Sequence, residues 1–319
     1  MLNRRILRIK AFKVLYSNVL AGTGSLAEAQ VQLEQSCEAA RDLYLYMMGI
    51  ISPLTRLARE KLEIAKTKFN PTEEEMHPNM KFADNALAKI MDGDPDFQKL
   101  FAKKKFSWDQ YDLFLKKVLN SIFTKKYYAD YMAATESSLK ADCKLFVKIF
   151  EEEFVDSDEL AQILEDMSIW WNDDLAYSLT WCCHSVEAIG KGERWELPAL
   201  YQSDMKKGAD VESDKLFVTR LLQASYAKYP ELSALVYENV EGWDKDRLFL
   251  PDVVLIVMGL AEAEAFPTIP VKVSINEYVE ISKYYGTQKS RSFVNGLLDK
   301  LMQKRLADGK INKEVKGML

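Results

Sequence analysis

Apolar positions recur with a helical period over much of the chain. Ile275, Tyr278, Val279 and Ser282 fall at i, i+3, i+4 and i+7, and Val294, Leu297, Leu298 and Leu301 repeat that spacing. The pattern predicts two amphipathic helices. Between them Gly286 follows two tyrosines, where a left-handed C-cap would sit, and Ser290 offers an N-cap for the second helix. Near the start of the chain, Leu7, Ala11, Val14 and Leu15 form one stripe that ends at Gly22 and Gly24. Leu43, Met47, Ile50, Leu54 and Leu57 form a longer one, broken at Ser52-Pro53. Residues 70–107 are irregular, with Asn70-Pro71, His77-Pro78, Asp92-Gly93-Asp94-Pro95 and Lys103-Lys104-Lys105 reading as turn and charge signals in a mobile connector. The lysine triplet reads as a solvated loop more readily than as a polyanion contact. Helical periodicity resumes at residue 108, and no run alternates as a strand does. The fold class expected is all-α.

An internal similarity appears when residues 142–175 are laid over 214–248. Asp142 and Lys144-Leu145-Phe146-Val147 match Asp214 and Lys215-Leu216-Phe217-Val218; Glu159 matches Glu231 and Trp171 matches Trp243. A duplicated helix pair would enlarge a helical scaffold without adding chemistry.

Composition supports a packed protein, with 48% apolar and 11% aromatic residues. Cys37, Cys143, Cys182 and Cys183 show neither a secreted framework nor paired CxxC spacing, and read as reduced thiols. Cys182, Cys183 and His184 are adjacent, so their side chains diverge by about 100° on a helix and do not form a metal site. Lys10 and Lys13 interrupt any apolar core of a leader, and no stretch approaches a membrane span. A cytoplasmic protein without cofactor is expected. The net charge of −5 hides an asymmetry: residues 1–21 carry +5 and residues 272–310 carry +4, while residues 22–271 hold −15. Two basic ends that met in space would suit a polyanion.

The candidate chemistry lies at those ends. Arg4, Arg5 and Arg8 fall within a ~100° arc of the first helix. Lys289, Arg291, Phe293 and Asn295 crowd the start of the last helix, where free N–H groups and a partial positive charge add to the cations. Phosphate, base face and base edge would each find a partner there. The same spacing also accommodates Phe293 as core and the cations as a solvated rim.

The residues themselves resemble a family. VSINEYVEISKYYG followed by SFVNGLLDKL (residues 273–301) closely resembles the C-terminal signature of the NusB transcription antitermination family, and the Arg-Arg opening with its helix ending Leu15-Tyr16 resembles that family's start. The resemblance implies two packed helical bundles of NusB type enlarged by an inserted helical module. The segments would be residues 1–69, an inserted or expanded region 70–210, a C-terminal NusB-like bundle 211–310 and a tail 311–319. It also implies a non-enzymatic factor that binds boxA-like single-stranded RNA together with the ribosomal protein NusE, and through them the RNA polymerase elongation complex.

Carried onto this chain, the RNA side would comprise Arg4, Arg5, Arg8, Lys283, Lys289, Arg291, Phe293 and Asn295, and Tyr16 would face NusE. Phe293 would stack on a base, and Asn295 would read a base edge or, more in keeping with its place at a helix start, pin its own loop. There are departures. Lys289 stands where an acid is common, Ala261-Glu262 replaces a Tyr-Glu pair, and Val257 stands where arginine is frequent. NusB-like domains also precede RNA cytosine methyltransferases, but no Gly-rich cofactor loop or α/β pattern is present. The competing reading is a non-catalytic helical scaffold that binds protein partners through the inserted module, with an aromatic surface around Tyr127, Tyr128, Trp170 and Trp171.

Overall fold

The computed structural model describes residues 1–201, 213–240 and 248–314. In chain order the helices are α1 (Arg4–Ala21), α2 (Leu26–Met48), α3 (Ile51–Lys66), α4 (Glu73–Met76), α5 (Ala86–Gly93), α6 (Pro95–Lys103), α7 (Asp112–Thr124) and α8 (Lys126–Ala133). They continue with α9 (Leu139–Ile149), α10 (Asp158–Met167), α11 (Leu175–Gly190), α12 (Asp214–Glu238), α13 (Leu250–Ala265), α14 (Val271–Tyr285) and α15 (Ser290–Ala307). Among the described residues the sole β feature is an isolated bridge between Leu2 and Tyr201, so the fold is all-α. The chain divides into two compact units, residues 1–37 with 199–319 and residues 38–198.

The first unit is built around α13. Every residue of that helix from Pro251 to Ala263 is buried, as expected for a helix apolar on all sides. α12, α14 and α15 pack on it, as does α1. The periodic positions read from sequence lie inward: Leu7, Tyr278, Val294, Leu298 and Leu301 are fully buried. Asn3 caps α1 by accepting a hydrogen bond from Ile6 N at 3.0 Å. At the other end Gly22, at φ 63°, takes the left-handed turn that stops α1.

Gly286 behaves differently from the expectation. Its φ of −106° and ψ of −173° are extended, not left-handed. Glycine is required there by close approach, since a Cβ would lie 2.3 Å from Ser290 Cβ and 2.5 Å from the Ser282 carbonyl oxygen. Ser290 is likewise the first residue of α15, not its cap: Lys289 occupies the cap position without a side-chain bond. The Ser290 hydroxyl instead accepts from Thr287 N at 2.7 Å and donates to Asp252 Oδ2 at 2.7 Å.

The second unit is ordered through the stretch read as a connector. Several of its turn signals are helix starts, whereas His77-Pro78 follows the end of α4. Thr72 and Glu75 form a capping box for α4, Asn85 caps α5, and Asp94 caps α6 with Pro95 in the first turn. The lysine triplet ends α6: Lys104 pairs with Asp42 at 2.7 Å, and Lys105 adopts the left-handed conformation at φ 56°. The aromatic surface expected around Trp171 is an aromatic core, with Tyr46 stacked between Trp108 at 4.3 Å and Trp171 at 5.5 Å. Tyr127 turns its hydroxyl to Glu153 at 2.8 Å, and Tyr128 packs against Phe82 and Phe123.

The two segments matched by internal similarity both begin helices with a buried aspartate, Asp142 and Asp214, and both bury the matched phenylalanine, Phe146 and Phe217. The first is interrupted by a π-turn at Phe150–Phe154, whereas the second continues as one helix. Trp243 lies outside the described residues.

Candidate nucleic-acid interface

The three arginines of α1 have different fates. Arg8 is buried, and its guanidinium grips Glu262 through two hydrogen bonds, Nε to Oε2 at 2.7 Å and Nη2 to Oε1 at 2.8 Å. The same carboxylate accepts from Ser274 Oγ at 2.7 Å and Tyr278 hydroxyl at 3.1 Å. Each carboxylate oxygen thus has two donors, which is the condition under which a buried ion pair is tolerated. Burial opposes the Arg8 charge, but the Glu262 carboxylate more than offsets it and the Arg8 pKa ends above its ordinary value. Arg8 is therefore no free surface cation, contrary to its place in the contacting set.

Arg4 and Arg5 lie further out. Arg4 reaches Asp214 at 3.3 Å and lies 4.7 Å from the centroid of the Phe217 ring. Arg5 is half-exposed and makes a bidentate pair with Glu277, at 2.9 and 2.7 Å. The Arg5 hydrogen bonds hold the Glu277 carboxyl below its ordinary pKa, with the nearby Arg8 charge adding to the effect. A cleft of about 530 Å³ opens between the first turn of α1 and the start of α14, lined by Asn3, Arg4, Arg5, Ile269 and Glu277 among others. The α14 N-terminus, which has no side-chain cap, borders this cleft.

The second cationic group sits at the joint between α14 and α15. Lys283, Lys289 and Arg291 are exposed. Lys283 pairs with Glu280 at 2.5 Å, one turn beyond Glu277. Glu280 feels Lys283 most strongly, then the positive charges of Arg5 and Arg291, and its pKa is lowered. This acid lies within the electrostatic reach of both groups. The two groups sit toward opposite ends of α14: at 1.5 Å per residue, Tyr285 at the end of that helix lies roughly 12 Å along its axis from Glu277, the Arg5 partner. They are opposite ends of one edge.

An aromatic row follows that edge. Phe12 of α1 lies 6.0 Å from Tyr16 and 5.3 Å from Tyr285 at the end of α14, with Lys13 Nζ 5.7 Å from the Tyr285 centroid. Tyr16 is half-buried in this row. Phe293 is also half-buried and lines a groove of about 350 Å³ with Asn239, Val240, Gly296 and Lys300. Asn295 is exposed on α15, and among the described residues its side chain makes no bond to the loop it was expected to pin. That loop is held by Ser290 and Thr287 instead.

Two functional supports were missed from sequence. Glu262 carried a signal, an acid inside the long apolar run of α13, and a buried acid needs a buried cation. Asp252 carried none, because its position beside Pro251 reads equally well as an ordinary acidic first turn. Among the described residues, no group of three or more His, Cys, Asp or Glu side chains is arranged to hold a metal ion, and no helix is long and apolar enough to cross a membrane.

Comparison with known proteins places residues 189–303 within the model of the NusB family. A transcription antitermination protein NusB from Agathobacter rectalis is 35% identical over 36% of this chain and 86% of its own length. That of Myxococcus xanthus is 33% identical over 34% of this chain and 91% of its own length. That of Chloroherpeton thalassium is 30% identical, with 35% of this chain matching about half, 52%, of the relative. No solved structure matches.

Proposed function

The chain belongs to the NusB family, and from that premise we propose that it is a non-catalytic transcription antitermination factor that binds boxA-like single-stranded RNA together with NusE. Arg4 and Arg5 form one end of the RNA edge; Lys283, Lys289 and Arg291 form the other. Cations at both ends neutralise phosphates, while half-buried Phe293 offers an edge of its ring to an unpaired base. Asn295, exposed beside it, contributes a base-edge contact. Arg8 acts from beneath, fixing α1 to α13 and α14 so that Arg4 and Arg5 are presented. Tyr16, at the far end of the aromatic row, faces NusE, and the link to the elongating polymerase runs through these partners.

The observation that carries the reading is that the positive charges of Arg5 and Arg291 both act on one acid, Glu280, within the unit that holds most of the family-matched residues. Lys289 adds a positive charge where family members commonly carry a negative one. Fluorescence anisotropy with a labelled boxA RNA and a scrambled RNA, with and without NusE, tests it. The expected result is tighter binding of boxA, strengthened by NusE, and a loss of about tenfold or more for Lys289→Glu combined with Arg291→Glu. Equal affinity for the two RNAs defeats the proposal.

A further inference from the structure

The second unit has a feature that RNA binding does not use. Between the π-turn at Phe150–Phe154 and α11 lies a groove of about 250 Å³. Phe150 and Leu179 are buried in its floor, with half-buried Val147 beside them. Val155 stands at its edge, 42% exposed. The rim carries exposed Glu151 and Glu187, and half-buried Cys183 lines the wall. A π-turn carries one more residue per hydrogen-bonded ring than an α-turn, and here it turns Phe150 and Phe154 inward while Glu151 stays on the surface.

The surrounding sequence is strongly acidic. Residues 151–174 contain ten Asp or Glu and no Lys or Arg. This stretch lies outside the family-matched residues 189–303. Of these acids Glu151 lines the groove, and together with Glu187 on the opposite wall it repels phosphate and attracts cations. The Lys148–Glu151 pair at 2.8 Å is solvent-exposed, so it holds Glu151 only weakly against a competing guanidinium.

We propose that this groove docks a lysine- and arginine-rich amphipathic helix of a protein partner. Apolar side chains of that helix seat against Phe150 and Leu179, and its flanking cations meet Glu151 and Glu187. The mode is helix-in-groove recognition, in which apolar anchors supply affinity and complementary charge selects the partner. The groove volume accommodates one or two aliphatic side chains, so the flanking charges carry much of the selectivity.

The test uses the full chain and a labelled peptide of roughly 18 residues, with leucines at i, i+4 and i+7 and lysines and arginines elsewhere. A counterpart has glutamate in place of each cation. Anisotropy is expected to give at least about tenfold tighter binding for the cationic peptide, and Glu151→Lys with Glu187→Lys to remove that preference. Cys183 reports the location: Cys37, Cys143 and Cys182 are buried, so bound peptide should slow maleimide labelling of Cys183. Thr180→Trp, which leaves the charge unchanged and obstructs the groove, should also weaken binding. Equal affinities for the two peptides, or tight binding that leaves Cys183 labelling and the Thr180→Trp variant unaffected, overturn the proposal. Sedimentation showing a dimer that dissociates in the Glu151→Lys, Glu187→Lys variant would assign the groove to a second copy and overturn it as well.

Discussion

Ser290 donates a hydrogen bond to Asp252 at 2.7 Å, joining the first residue of α15 to the first turn of α13. Both side chains are buried, and desolvation raises the Asp252 pKa while the Ser290 bond limits the rise. This contact anchors the joint that presents Lys289 and Arg291. Ser290→Ala should cost about 1–3 kcal/mol, because it leaves a buried carboxylate without this donor. Adding Asp252→Ala should cost less than the sum of the two single changes. Urea unfolding of the four proteins in the cycle measures the coupling; full additivity contradicts the link.

Arg8 and Glu262 should show the asymmetry of a buried ion pair. Arg8→Met alone leaves the Glu262 charge with only two hydroxyl donors and is expected to cost about 3–5 kcal/mol. Combining it with Glu262→Gln removes the orphaned charge, keeps an acceptor for one of the two hydroxyls and offers the other an amide N–H to accept from. The double variant should therefore be more stable than Arg8→Met. Thermal unfolding decides the order.

Two glycines ten positions apart, Gly286 in the joint and Gly296 in α15, should respond with opposite signs. At Gly286 an added Cβ collides with Ser290 and with the Ser282 backbone, so Gly286→Ala should destabilise by about 1–3 kcal/mol. At Gly296, within α15, a Cβ meets open space. Gly296→Ala should stabilise by about 0.5–1 kcal/mol through helix propensity. Chemical denaturation of each protein checks the pair.

Acid should weaken the Arg5–Glu277 clip. The folded-state pKa of Glu277 is depressed, so its contribution is present above the unfolded carboxyl value and is lost as pH falls through the lower folded value. Relative to Glu277→Gln, the parent is expected to be about 0.5–1 kcal/mol more stable at neutral pH, with the gap closing below about pH 4.5. Asp252 has the opposite sign: its charged form is penalised in the folded state, and that penalty is relieved as pH falls through its raised pKa. Because both proteins retain Asp252, its effect cancels in the difference. A gap independent of pH would show that Glu277 acts by packing alone.

The helices of the first unit were legible because a 3.6-residue period states which positions face inward. Leu7, Ala11, Tyr278 and Leu298 are buried as their spacing requires. The same period did not reveal the width of the buried arc. On α1 that arc takes in Arg8 and Lys10 along with the apolar stripe, so charge alone misjudged which side of the helix was solvent. Gly286 and the Asp94-Pro95 pair illustrate another limit. A glycine serves left-handed turns and close approach alike, and an Asp-Pro pair marks a loop or the start of a helix. Only the three-dimensional neighbours, Ser290 in one case and the Phe97 amide in the other, distinguish them. The pairings Arg8–Glu262 and Ser290–Asp252 span 254 and 38 residues, distances over which local pattern carries no information.

The inward course of Arg8 and Lys10 also bears on how association with a polyanion responds to ionic strength. Residues 1–21 hold five cations, but two of them are buried beneath the surface, and Arg4 and Arg5 already have carboxylate partners. Cations that are buried or already neutralised displace few counterions from a phosphate chain. A plot of log affinity against log salt should consequently be shallower than the basic letters of the sequence would suggest, with Lys289 and Arg291 contributing more to its slope than the arginine-rich opening.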